Sequence, residues 1–314
     1  MKKRIIGLTM AILMAALSGC SAKKPLEEIV FTYVTAPLNV PTIVERERHI
    51  FEKAFADMGI SVSYAELTSG ADQTQALASG DVQVLYAVGA TSVILSAANG
   101  ADIRVLNMYS RSPKAFAMYA KEETLSSPEA LRGKTIAGPA GTNLHELLAA
   151  YLATANMSMD DVNFINMSIP EAKAALDGGS IDAALLAGAT AYTAKEQGYF
   201  MIADGEGLID AIIAVAVTEE FYRKHPQLID ELEDAQDDIE DFMEDHAAET
   251  RRIVAEALDL EPQAVAEMIS HYDFSTDLRK SDIAGFQRTA DFMYTYGMID
   301  APLDVTDLFL EFDD

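Results

Sequence analysis

The sequence predicts an α/β fold of two similar lobes, each a parallel-rich sheet flanked by helices, followed by a helical C-terminal region. Three observations predict it. Strand-length apolar runs alternate with helix-length amphipathic stretches, the βαβα order that puts helices on both faces of a parallel sheet. That order is run through twice. The two runs also match at an offset of 99 residues: Ala76-Leu77-Ala78-Ser79-Gly80-Asp81-Val82-Gln83 corresponds to Ala175-Leu176-Asp177-Gly178-Gly179-Ser180-Ile181-Asp182, and Gly89-Ala90-Thr91 to Gly188-Ala189-Thr190. Two copies make two lobes rather than a solenoid.

In chain order, residues 28–33 read as a first strand, and the loop 34–41 follows because Pro37 and Pro41 oppose helix. Ile43, Ile50, Phe51, Ala54, Phe55 and Met58 mark the buried side of a helix that Gly59 stops. Residues 60–67 alternate as a second strand. A helix from Asp72 ends at Ser79-Gly80, residues 82–88 are a continuous strand, Gly89 to Ser92 opens the next helix, and residues 103–108 return as a strand. The second run centres on GKTIAGPAGTNLHELLAAYL: a strand over 134–137, a Gly/Pro turn over 138–141, then a helix. Leu144, Leu147, Leu148, Tyr151 and Leu152 form its apolar stripe, and Thr142 or Asn143 would cap it through a side-chain oxygen. A strand over 162–167, a helix from Pro170 to Gly178-Gly179, and a strand over 181–187 complete the second lobe.

The chain has 314 residues, half of them hydrophobic, enough for two cores. Its net charge is −27, and the region from Glu219 onward carries 27 acids against 7 bases. Such a surface repels nucleic acid and anionic lipid heads, so neither is an expected partner. The acidic third is either a docking face or a solvated helical surface.

Lys2, Lys3 and Arg4 precede an apolar run from Ile5 to Leu17 and then Leu17-Ser18-Gly19-Cys20. The run is short for a membrane span and ends in small residues, as an export signal does. The tetrapeptide resembles a bacterial lipoprotein signal, in which the cysteine is acylated and becomes the new N-terminus; an ordinary signal peptide is the alternative. Cys20 is the single cysteine, which leaves no intramolecular disulfide for an exported chain. Residues 1–20 would be the signal and 21–28 a tether to the outer face of the bacterial cell membrane or its periplasmic side.

Ligands of open α/β sheets bind beyond the carboxyl ends of the strands. Small hydroxyl-bearing turns fall at that edge: Thr35, Gly89 to Ser92, Gly141 to Asn143, and Gly188 to Thr190. Two lobes facing each other with such edges form a cleft that can close on a small molecule.

ALASGDVQVLYAVGATSVILSAANGADIRVL is similar to the first-lobe signature of nitrate/sulfonate/taurine-type substrate-binding proteins of ABC importers. LRGKTIAGPAGTNLHELLAAYL resembles their second-lobe signature, and ADFMYTYGMIDAPLDVTDLF their C-terminal ending. The resemblance implies a type 2 periplasmic-binding-protein fold with lobe 1 over 29–115, lobe 2 over 116–212, and a return over 213–314 that packs helices on lobe 1. It places the two crossing segments near Pro113 to Ala120 and Ala211 to Val217. It implies ligand loops at Thr35 to Asn39, at Gly89, Ala90, Thr91 and Ser92, at Gly141, Thr142, Asn143 and His145, and around Ser168. It further implies an ABC permease as partner, a monomer, and no cofactor. The family often carries a tryptophan or other large residue after the strand at 181–187; this chain has Gly188-Ala189 there and no tryptophan.

The five histidines show no HxxxH or HExxH spacing, and there is no P-loop or strand-linked GxGxxG, so a metal or nucleotide site is not expected. His145 either donates to a ligand or packs. Thiamine-pyrimidine synthases resemble this fold but depend on clustered cysteines, so that enzyme reading fails here. A sensor-coupled binding lipoprotein remains the alternative to import. Helix-opening turns favour a small sulfonate, carboxylate or nitrate head, in an anion or zwitterion, with Tyr33, Tyr86 or Tyr192 covering any apolar tail.

Overall fold

The computed structural model describes residues 26–67 and 69–310. The signal over 1–20, Cys20 and residues 21–25 of the tether lie outside the described residues.

Lobe 1 starts with β1 (Glu28–Thr32), which pairs in parallel with β2 (Ser61–Ala65). Its buried Ile29 and Phe31 face one core, as alternation requires. A parallel bridge between Phe31 and Val84 carries the sheet on to β3 (Leu85–Gly89). β10 (Ile212–Val217) then lies between β3 and β4 (Arg104–Arg111), antiparallel to both. Lobe 2 has the strand order β7 (Asn163–Asn166), β6 (Thr135–Gly138), β8 (Ala183–Ala187), β5 (Phe116–Ala120) and β9 (Phe200–Asp204). Here β6 runs parallel to β7 and β8, while β5 opposes β8 and β9.

The two orders are equivalent. In each sheet the fourth-placed strand runs against the others, and it is the first strand after the chain crosses between lobes. The offset of 99 has a structural basis as well: α3 (Gly70–Ser79) and α6 (Ile169–Gly178) occupy the same place before β3 and β8. Ser69 and Ser168 cap them by accepting the Asp72 and Glu171 N–H groups, and left-handed Gly80 and Gly179 end them.

Three expectations need correction. The first long helix is two helices, α1 (Val40–Arg48) and α2 (Ile50–Ala56), broken where His49 turns to φ 54°. It also starts before Ile43, because Pro41 sits in the first turn, where its missing N–H has no intrahelical partner to lose. The crossing segments are shorter than expected. Residues 116–120 and 212–217 are strands β5 and β10 inside the sheets, so the chain crosses over 112–115 and 205–211. Those crossings are tied together by Ser112 N–H donating to the Ala211 carbonyl (3.3 Å) and Gly205 N–H to the Pro113 carbonyl (3.2 Å).

Each sheet is covered on both faces. One face of lobe 1 packs Phe31, Phe51, Tyr86 and Tyr109 against α9 (Pro226–Asp245), α10 (Ala247–Leu258) and α11 (Pro262–Ile269). The other packs Leu85, Val93 and Met108, with α4 (Ala90–Ala98), against Phe286 and Met293 of α12 (Lys280–Thr295). In lobe 2, Leu144, Leu148 and Leu152 of α5 (Asn143–Ala153) cover one face; Leu176 of α6 and Ala194 of α7 (Gly188–Glu196) cover the other. The C-terminal helices therefore pack mainly on lobe 1.

Candidate functional site

The parallel strands of each sheet end at a common edge, so the turns leaving β1 and β3 are neighbours in lobe 1, as are those leaving β6, β7 and β8 in lobe 2. Contacts join them. Ala140 N–H donates to Asn166 Oδ1 (2.9 Å) and Met167 N–H to the Gly138 carbonyl (3.0 Å), which ties the turn after β6 to the one after β7. Ser92 packs on Gly70, where a Cβ would overlap its hydroxyl. Between the lobes, the Pro37 carbonyl lies where a Cβ on Gly188 would be. The loop holding Thr35 and Asn39 thus meets the start of α7, with Gly188 and Thr190, across the cleft.

Hydrogen bonding separates the expected polar residues into two groups. The first is committed to holding the turns. Asn39 Nδ2 donates to the Val34 carbonyl (2.8 Å) and the Ala36 carbonyl (3.3 Å), bracing its own loop. Thr142 does not cap α5 by accepting an N–H, contrary to expectation, and Asn143 is the first helical residue; the Thr142 hydroxyl donates back to the Pro139 carbonyl (2.9 Å). Thr190 likewise donates to the Ala187 carbonyl (2.7 Å), and Ser168 is closed in a capping box with Glu171. His145 Nδ1 accepts the Gly141 N–H (3.2 Å), and its ring stacks on Phe164 at 4.7 Å. That geometry requires the neutral ring, and burial holds its pKa below the usual histidine value.

The second group is uncommitted. Among the described residues, the side chains of Thr35, Thr91, Ser92 and Asn143 have no hydrogen-bond partner. Thr91 and Asn143 are nevertheless 3 % and 5 % exposed. Their polar atoms are not among those sealed from water without a partner, so they reach solvent at the openings of α4 and α5. Those helices and α7 also lack a side-chain cap, so their first N–H groups and dipole ends are free for an anion.

Of the three tyrosines considered for a ligand tail, Tyr86 is excluded by position. It is buried in the lobe 1 core, edge-on to Phe51 and Tyr109 at 5.1 Å each. Tyr33 sits edge-on to Tyr64 at 6.2 Å. Tyr192 instead lines a cavity of about 230 Å³ beside Gly188, together with Tyr119, Met201, Met268 and Tyr272. The Tyr272 hydroxyl is buried with no hydrogen-bond partner. Sequence reasoning missed these walls because Tyr119 and Met201 lie on β5 and β9, two strands outside the repeated βα pattern; the apolar run Phe116 to Ala120 was the available signal.

The NMT1/THI5-like family profile matches residues 54–249, more than half of the chain. The chain belongs to the NMT1/THI5-like family. A curated relative of this NMT1/THI5-like protein, named as an aliphatic sulfonates-binding protein of Bacillus subtilis (strain 168), is 26 % identical over 318 residues, spanning 98 % of this chain and 94 % of the relative. The taurine-binding periplasmic protein of Escherichia coli (strain K12) is 29 % identical over 221 residues, covering 69 % of this chain and 67 % of its own length. Among solved structures, the alkanesulfonate-binding protein of Xanthomonas axonopodis pv. citri, bound to MOPS, superposes with a TM-score of 0.81 at 21 % identity, over 90 % of this chain and 98 % of that one. The periplasmic-binding-protein fold is thereby established for this NMT1/THI5-like chain.

Proposed function

We propose that the chain is the extracytoplasmic solute-binding component of an ABC importer and carries a small organic anion or zwitterion of sulfonate, nitrate or taurine type. One observation carries the reading: the uncommitted Thr91, Ser92 and Asn143 at uncapped helix starts, with Thr35 in the loop that Gly188 meets across the cleft. In this reading the four polar side chains and the bare N–H groups take the oxyanion, a chemistry with which the names of the relatives agree. The cavity beside Gly188, walled by Tyr192 and Tyr272, takes the ligand's tail. The lobes are 29–115, 116–212 and the returning 213–314. The protein is a monomer, needs no cofactor, and catalyses nothing; Cys20 anchors it to the membrane through lipid, and its macromolecular partner is a permease.

A thermal-shift screen of taurine, ethanesulfonate, nitrate, carboxylates and amino acids tests this. Ligand at a hundredfold excess over Kd stabilises the folded state by about 2.7 kcal/mol, and the sulfonates are expected to stand out. Turnover of a bound compound, or no response to any oxyanion, overturns the reading.

A further inference from the structure

In the first turn of α5, lobe 2 meets α12 of lobe 1 next to the crossing 205–211. There the Thr289 hydroxyl lies 3.0 Å from Glu146 Oε1, a hydrogen bond from one lobe to the other. Glu146 is 5 % exposed, and its second oxygen is buried with no partner. Glu146 borders a cavity of about 550 Å³ lined by both lobes. The other charged groups around Glu146 are paired. Asp210 of the crossing holds Arg288 of α12 through two hydrogen bonds (2.7 and 2.9 Å), and Asp282 of α12 holds Arg111 at the end of β4 through two of 2.6 Å. On α5 itself, the neighbouring His145 is turned to Gly141 and Phe164. Among the described residues, Glu146 is therefore an acid without a cation, at a contact between the two lobes.

We propose that Glu146 is a proton-operated latch: protonated, it bonds to Thr289 and holds the lobes together, and ionised, it favours their separation. A neutral carboxyl keeps the bond from the Thr289 hydroxyl, which donates to Oε1, without burying a charge. A carboxylate there keeps a bare oxygen away from water, and opening relieves that by letting water reach it. Burial, opposed by the Thr289 hydrogen bond and reinforced by Asp210, raises the closed-state pKa from 4.5 to about 7. The closed form thus binds a proton that the open form has released. Closure is strongest below the open-state value and weakens by up to about tenfold per pH unit as pH rises toward 7, then levels off.

Interlobe distance in the ligand-free chain tests the latch. Nitroxides at the exposed positions Gln75→Cys on α3 and Ala174→Cys on α6, in a Cys20→Ser background, report it by pulsed electron resonance. In the otherwise wild-type chain, the ratio of short to long distances is expected to rise as pH falls from 7 to 5. With Glu146→Gln, whose amide keeps the Thr289 contact but cannot titrate in this range, the ratio should be flat with pH. Thr289→Val should lower the closed fraction at every pH. A flat wild-type profile, an unchanged slope in Glu146→Gln, or an unchanged closed fraction in Thr289→Val each overturns the proposal.

Discussion

The carbonyl of Pro37 lies over Gly188 of the opposite lobe, in the space that the Cβ of any other residue would fill. Gly188 also holds φ 56°, a left-handed conformation in which a side chain is strained. Both constraints vanish only for glycine. The position where a large residue is expected from related proteins is small here because the other lobe's backbone closes directly on it.

Gly188→Ala is therefore expected to hold the lobes apart. The backbone strain alone costs about 1–2 kcal/mol, and the overlap with the Pro37 carbonyl requires the loop that carries it or the whole lobe to move away. Ligand affinity should fall about tenfold or more, with a larger radius of gyration in small-angle scattering of the liganded protein. Wild-type affinity and compactness would mean that the Pro37 contact is not part of the bound state.

The matching Gly89-Ala90-Thr91 and Gly188-Ala189-Thr190 show what was legible in the sequence and what was not. They reveal the two-lobe repeat, because both open a helix after the third strand of a sheet. They do not reveal the difference between the glycines: Gly89 has an ordinary φ of −67°, so only Gly188 needs its conformation. Period and turn chemistry report local structure, and the strands and helices they predict are largely those of the fold. Contacts between lobes depend on chain paths far apart in sequence, so Pro37–Gly188 and Glu146–Thr289 left no local trace. β5 and β9 were missed for a similar reason, since they belong to no βα repeat.

At the opening of α5, neighbouring residues are expected to behave differently. Thr142→Ala loses the hydrogen bond to Pro139, worth about 0.5–1.5 kcal/mol, and should lower folding stability and ligand affinity together. Asn143→Ala breaks no hydrogen bond within the described residues, so it should lower affinity with little effect on stability. Gly141→Val acts through the backbone, not through crowding: its φ is 69° and nothing lies within 4 Å of where its Cβ would be. Calorimetric titration with taurine or ethanesulfonate, paired with urea denaturation, separates these effects. Undiminished affinity in Asn143→Ala would remove that residue from the site.

His145 should make the turn sensitive to acid. Its Nδ1 accepts the Gly141 N–H only while the ring is neutral, and burial lowers its pKa in the folded state. The unfolded chain therefore takes up the proton first as pH falls. The stabilisation is complete above the ordinary histidine value of about 6.5 and is lost as pH falls through the lower folded value. His145→Gln keeps an acceptor for Gly141 without titrating. It should retain affinity at pH 7.5 and lose less of it at pH 5 than wild type; an identical pH profile for the two proteins would show that the ring does not hold the turn.

Glu45 should give stability the opposite dependence. Tyr64 Oη lies 2.6 Å from Glu45 Oε1 and 2.8 Å from Glu52 Oε2, but a phenol has one proton to give. Glu52 takes it: although burial works against ionisation, the Tyr64 and His49 contacts bring its pKa below the usual value. Glu45 keeps a proton of its own and can donate it to Tyr64 Oη. Burial raises its pKa from 4.5 to about 7, against the pull of Tyr64 and with help from the Glu52 charge. Because the folded value exceeds the unfolded one, this stabilisation is full below pH 4.5 and is lost as pH rises to about 7. The loss is at most about 1.4 kcal/mol per pH unit. In Glu45→Gln no charge can form, and the amide oxygen still accepts from the Phe51 N–H, which bonds Glu45 Oε1 at 3.3 Å. Urea denaturation at pH 5 and pH 8 should show that variant to be more stable than wild type at pH 8, with the advantage shrinking or reversing at pH 5. Equal stability of the two proteins at both pH values would mean that Glu45 is not protonated in the folded chain.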